Sequence, residues 1–295
     1  MQRKSFGKLI WEIASPILVH LGVTFLVEMV FLMAYYLKSL PELVAAMESE
    51  EALMEFVMET ANIMYEYVVE LTAITALATL PFLIWMRKRD KRKENAVGIV
   101  PNKKAPLSKY FLIAGISIPF AVGFNNILTL SNLAEYSIAY QETAEALYTP
   151  SFLVQIVCLG LIVPITEEFI FRGLIYKRMR MNTSPMRAIF SSALFFGIYH
   201  GNSVQMIYGT ICGLLMAYLY EKYGSIKAPI FAHMLMNIVA CILTEVDGFT
   251  WMFVKPVRMA IITIACAAIA STMFLFILDI NEKPELDEDV KEVTI

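Results

Sequence analysis

Two adjacent glutamates stand in TEEFIFRG, residues 166–173, between the apolar run VQIVCLGLIVPI and the basic stretch YKRMRMNTSPMR. A carboxylate in hydrocarbon is costly unless it is paired, protonated or turned to water, so Glu167 and Glu168 are functional candidates by position. Glu168 and Arg172 are four residues apart and can pair on one helix face. Glu167 is turned roughly 100° from Glu168 and is free to face elsewhere. Two of the three histidines add to this set. Phe196 and His200 are four apart in FGIYH, and His233 and Asn237 are four apart in HMLMN, so each pair shares a helix face.

Helix rise puts these groups at comparable depths. Measured from the nearest basic residue, Glu167 lies about 15 Å in from Lys177, His200 about 20 Å from Arg187, His233 about 9 Å and Asn237 about 15 Å from Lys227. Three helices thus deliver polar side chains to one layer. Gly201-Asn202-Ser203 follows His200 after an apolar run too short to span, and irregular backbone at depth must be buried or line a water-filled cavity. A cavity is therefore expected near His200, with Phe196 beneath the site or lining it and Asn202 at the helix break or touching substrate.

A carboxylate and an imidazole sharing a water can act as general base toward an acyl carbon. The oxyanion that forms needs donors placed in advance, and a histidine with an asparagine amide can supply them. Glu167 with His200, facing His233 with Asn237, fits that division. No serine or cysteine stands beside a base as a covalent nucleophile. Two other readings remain: a structural polar network, and a metal site built from two histidines and a carboxylate. No H-E-x-x-H is present, Asn237 is a poor zinc ligand, and no metal or cofactor is expected. Phosphate-cradling glycine loops and nucleotide motifs are absent from the sequence.

The elements that must hold this layer are membrane helices. With 58% hydrophobic and 17% charged residues the chain reads as an all-α polytopic membrane protein, and nucleic acid is not a suggested partner. Apolar segments at about 9–37, 66–86, 110–131, 152–176, 188–200, 204–221, 226–244 and 257–278 predict about eight transmembrane helices. The first follows basic residues, is too long for a signal-peptide core and is expected to stay as an anchor. With both termini cytoplasmic, twenty Lys and Arg fall inside and only Lys38, Lys255 and Arg258 outside, the asymmetry that sets orientation. The polar layer then falls in the cytoplasmic half of the bilayer.

Cys158, Cys212, Cys241 and Cys266 all lie in apolar segments without C-x-x-C spacing and read as packing residues. Residues 39–60 predict either an outer surface helix or a solvated hairpin extension. His20 and Glu28 read as partners in interhelical hydrogen bonding. The tail NEKPELDEDVKEVTI is expected to be disordered.

The three motifs EEFIFR (167–172), FGIYH (196–200) and HMLMN (233–237) together resemble the CPBP family of intramembrane glutamic endopeptidases, which includes type II CAAX prenyl endopeptidases and bacteriocin-processing or immunity proteins. The resemblance implies an eight-helix protease fold with Glu167 and His200 activating water, His233 and Asn237 as oxyanion donors, and Glu168 and Arg172 as a supporting ion pair. It implies a membrane-associated peptide or protein substrate in the bilayer, lipidated or not, cut near the cytoplasmic face. The chain's own end, EVTI, is not a CAAX box. A non-catalytic immunity or peptide-binding protein is the alternative from another class. The expected organisation is 1–150 for three helices and a basic loop, 151–245 for the catalytic core, 246–279 for the last helix and 280–295 for the tail.

Overall fold

The computed structural model describes residues 6–96, 103–133 and 135–280, all in helices, turns and short connections. Arg3, Lys4 and the acidic tail from residue 281 onward lie outside the described residues. The described helices are α1 (Phe6–Lys38), α2 (Leu40–Ala46), α3 (Glu50–Glu66), α4 (Val68–Ala96), α5 (Tyr110–Leu130) and α6 (Ile138–Tyr148), then α7 (Phe152–Arg180), α8 (Pro185–Tyr199), α9 (Ser203–Tyr223), α10 (Lys227–Glu245), α11 (Gly248–Phe253) and α12 (Pro256–Leu278).

Each of the eight apolar segments falls on one of these helices. Among the described residues seven are long and apolar enough to cross a membrane, and the chain is an integral multi-pass protein. The eighth, α8, has only 15 residues, so it ends inside the bundle. That end is where His200 sits. Local chemistry sets the break: Gly201 has φ +81°, which glycine adopts without steric cost, and Asn202 then caps α9 by accepting from the Gln205 amide at 2.8 Å. Gly224, at φ +61°, closes α9 at its other end.

Burial separates lipid-facing helices from central ones. Only 6% of the apolar window of α1 and of α12 is buried, against 44% for α7 and 50% for α9. The side chains of Trp11, Phe25 and Leu26 on α1 and of Ile261 and Ile264 on α12 accordingly stand exposed where hydrocarbon would cover them. The site-bearing helices form the middle of the bundle.

The α8–α9 seam is made of small residues. Ala193 and Gly197 on α8 meet Gly209 and Gly213 on α9, and spacing of four on each helix lines them along one face. A β-carbon on Gly213 would lie 2.9 Å from the Ala193 Cα, and one on Gly197 would collide with Thr210 and the Met206 carbonyl. The backbones therefore touch.

Residues 40–66 form two short helices, α2 and α3, and Phe56 on α3 stacks on Tyr35 near the end of α1 with ring centroids 6.1 Å apart. His20 hydrogen-bonds across helices as expected, but to Thr79 on α4 at 3.0 Å.

Candidate functional site

The glutamates sit on a short α-helical stretch of α7, Val163–Glu168, between two π-helical runs, Ile156–Ile162 and Phe169–Tyr176. Such runs are rare and concentrate at functional sites, because a looser turn frees backbone groups and re-aims side chains. Pro164 gives a local reason for the first. In the π register residue 164 would donate to the Leu159 carbonyl, and proline has no N–H. The Asn237 amide supplies the missing donor, with Nδ2 2.9 Å from that carbonyl. This fixes Asn237 on α10 and leaves its second N–H free to face the site.

Glu168 and Arg172 form a buried ion pair, with Arg172 Nη1 donating to Glu168 Oε1 at 2.7 Å and both side chains wholly inaccessible. Arg172 Nη2 also donates to the Gly213 carbonyl at 3.1 Å, a reach that the tight α8–α9 seam permits. Its guanidinium lies 4.5 Å over the Phe196 ring. Phe196 in turn presents its ring at steep angles to His200 and His233, at centroid distances of 4.7 and 5.7 Å. One buried phenyl ring therefore touches three of the polar residues.

Hydrogen-bond partners fix the histidine tautomers. His200 Nδ1 lies 2.7 Å from the Phe196 carbonyl, which can only accept, so Nδ1 carries the proton and neutral His200 keeps a lone pair on Nε2. His233 Nδ1 lies 3.0 Å from Glu168 Oε1, a carboxylate already committed to Arg172, so this nitrogen also donates. His233 Nε2 then faces Glu167 Oε2 at 3.6 Å, beyond a direct hydrogen bond. It can donate from there only as an imidazolium. His233 thus stands between the two glutamates, held by Glu168 and facing Glu167.

Glu167, Phe196, His200, His233 and Asn237 line one cavity of about 310 Å³. Glu167 is partly exposed to it, and Glu168 lies behind the wall. Asn202 is not among the lining residues; its amide instead bonds the Gln205 side chain at 2.8 Å at the start of α9. Cys212 and Cys241 line the cavity, while all four cysteines are free. Among the described residues no group of three or more His, Cys, Asp or Glu is arranged to hold a metal ion.

The direction of the cavity differs from expectation. From the polar residues it extends away from the basic helix ends, toward Thr72, Asn125, Leu159, Tyr208 and Ala240 and the inner face of α6. The opposite side is filled, because Ile170, Phe171, Leu174, Ile175 and Tyr176 are completely buried against Leu83, Ala188 and Met216.

Sequence reading overlooked α6. Its cavity-facing residues, Tyr140, Thr143, Ala144, Leu147 and Tyr148, recur at three- and four-residue spacing, a legible amphipathic stripe. Burial pushes the Tyr140 and Tyr148 phenols up, so both remain protonated donors.

Residues 149–239 match the family described as Type II CAAX prenyl endopeptidase Rce1-like. A protein of Bacillus subtilis (strain 168) named "Putative membrane peptidase YdiL" is 34% identical over 88 residues, 30% of this chain and 36% of that protein. The matched stretch thus spans about a third of that relative's length. No solved structure matches. All three motifs fall inside the matched stretch, so it is over residues 149–239 that the chain is similar to the type II CAAX prenyl endopeptidase Rce1-like family.

Proposed function

We propose that this protein is an intramembrane endopeptidase that hydrolyses a peptide bond of a membrane-associated protein or peptide with water activated by Glu167 and His200. The observation that carries the reading is the tautomer of His200. Its Nδ1–H is committed to the Phe196 carbonyl, so in the neutral ring it is Nε2 that carries the lone pair, on the wall of the cavity that Glu167 also lines. A water between such groups can lose its proton as it attacks the acyl carbon. His233 and the free N–H of Asn237 face the same space and can hold the developing oxyanion, His233 whenever its Nε2 carries a proton, with Glu168 holding the ring in place. The proton taken from the water can afterwards pass from Glu167 or His200 to the leaving amine, which restores the base. Glu168 and Arg172 act through His233 and are positioning residues. The termini lie on the cytoplasmic side, with the basic loops.

The test is cleavage of a panel of fluorogenic peptides, with and without a lipidated cysteine, by the purified protein in detergent, with and without chelator. Glu167→Gln removes the base while keeping shape, and cleavage should fall by about 10²–10⁴-fold with unchanged thermal unfolding. His200→Ala should give a comparable loss. Cleavage abolished by chelator and restored by zinc would replace this chemistry with a metal-dependent one. Cleavage that survives in Glu167→Gln would remove that residue from the mechanism.

A further inference from the structure

We propose that the cavity is entered beneath α6, from the end of the bundle opposite the basic loops, and that its occupant is a peptide segment whose apolar stretch is flanked by lysine or arginine. This rests on the peptidase reading only for what happens to the segment afterwards.

Three observations converge. First, the far wall of the cavity is built from the helix ends remote from the basic clusters. Thr72 is five residues into α4, whose other end carries Arg87–Lys93, and Ala240 is near the end of α10, which begins at Lys227. Second, the basic side of the polar residues is solid core. Ile170, Phe171 and Leu174 follow Glu168 directly and have no accessible surface, whereas Glu167 retains some toward the cavity. A substrate cannot approach through close-packed side chains without unfolding them.

Third, α6 covers the open side as an amphipathic strap. Its inner stripe lines the cavity, and its outer face presents Glu142 and Glu145 to solvent. One end is tied where Gln155 Nε2 donates to the Tyr148 and Pro150 carbonyls at 3.0 and 2.8 Å. Elsewhere it is held by the Tyr65 hydroxyl donating to the Glu142 carbonyl at 2.9 Å, by a 3.5 Å contact between Asn202 and Thr143, by Gln141 Nε2 donating to the Glu135 carbonyl at 2.8 Å, and by packing of Leu147 against the Val69, Ala73 and Cys158 cluster. A single eleven-residue helix with a solvent-exposed outer face is more readily lifted than the close-packed helices beneath it.

Charge supplies the chemistry of the occupant. On this face, segments 39–67 and 131–151 contain ten glutamates and no lysine or arginine, and with Glu245 and Asp247 against Lys38, Lys255 and Arg258 its connections carry twelve acids to three bases. A potential of one sign around a cavity mouth concentrates ligands of the other sign and steers their approach. The cavity beneath is largely apolar and aromatic, from Leu147, Tyr148, Tyr208, Met216 and Met236. An apolar segment with basic flanks complements both.

The experiment uses the full chain in sealed vesicles and a membrane-impermeant sulfonated thiol reagent added from one side at a time. Ala240→Cys reports on the cavity, Tyr136→Cys on the face carrying α6, where Tyr136 is exposed, and Arg89→Cys on the basic face. Leu147→Cys, on a different lining helix, repeats the cavity measurement should Ala240→Cys misfold. The wild-type chain sets the background of its buried native thiols.

Ala240→Cys should react from the side that labels Tyr136→Cys and be silent from the side that labels Arg89→Cys. Reaction from the Arg89→Cys side alone, or from neither, overturns the entry route. A synthetic apolar peptide with lysines at both ends, added to the reporter in the Glu167→Gln background, should slow the reaction about tenfold more than its glutamate-flanked counterpart. Equal protection, or better protection by glutamates, overturns the charge preference. The outcomes separate this proposal from the peptidase reading. Protection without cleavage of any peptide by the wild type would remove the peptidase and leave the entry route. Cleavage combined with labelling only from the Arg89→Cys side would do the reverse.

Discussion

The two sides of the candidate site are built on opposite principles. On the basic side, residues 170–176 of α7 are entirely buried, and the helix ends are tied by Arg178 Nε to Asp90 at 2.6 Å, Arg87 to Glu94 at 2.7 Å and Arg180 to Glu221 at 3.1 Å. On the other side lies a cavity of about 310 Å³ under α6. The polar residues stand at the boundary. A site needs side chains locked in productive geometry and also room for a reacting group. Here one side supplies the first and the other the second, and the Glu168–Arg172 pair is the innermost polar layer of the locked side.

If that division holds, the largest stability loss should come from breaking this pair. Arg172→Met removes the cation and leaves Glu168 buried without its charge partner, which should cost about 3–5 kcal/mol. Glu168→Gln combined with Arg172→Met should recover a good part of the loss, because an uncompensated charge rather than a missing attraction dominates the penalty. Thermal unfolding in detergent measures both. If the single and double variants unfold alike, the pair is not the anchor of the locked side. The double variant should nevertheless cleave poorly, since His233 Nδ1 loses the carboxylate that orients it.

Next in size is Leu174→Ala, in the core of the basic side. Leu174 is fully buried among neighbours that cannot collapse, so truncation should cost about 2–5 kcal/mol. A smaller loss, about 1–3 kcal/mol, is expected for Gly213→Ala in the α8–α9 seam. The new methyl group would press on the Ala193 backbone and part the helices by the carbonyl that Arg172 Nη2 reaches. Activity should fall with it, through displacement of Phe196 and His200 on α8. An unchanged unfolding temperature would mean the seam is looser than its geometry states.

Much of this arrangement was legible in the sequence because it is local. Apolar length marked the eight helices, including the short one that stops at His200, and four-residue spacing brought Glu168 to Arg172 and His200 to the Phe196 carbonyl. What spacing along single helices does not encode is which face of one helix meets which face of another. That is why His233 was paired with Asn237 as a donor, while its place between Glu168 and Glu167 depends on the crossing of α10 over α7. The π-helical runs are similarly cooperative: Pro164 signals a missing donor, but that Asn237 fills the gap follows only from packing. The direction in which the cavity extends was not legible for another reason. Basic residues report which loops stay in the cytoplasm, and a cavity is a property of where side chains fail to fill space.

The smallest effect should come from the open side, and it is the sharpest use of the contrast. Leu147→Ala deletes the same atoms as Leu174→Ala, but from a half-buried residue on the cavity wall, where packing against the Val69, Ala73 and Cys158 cluster is thinned and the vacated space joins the cavity instead of forming an enclosed void. Unfolding should shift by less than about 1 kcal/mol. Its effect belongs in binding: the apolar segment loses one side of its slot, so KM for a cleaved peptide should rise a few-fold with kcat little changed, the pattern of a contact made equally in ground and transition states. A Leu147→Ala loss as large as that of Leu174→Ala would mean that α6 is packed core, and the division between a locked and an open side would fail.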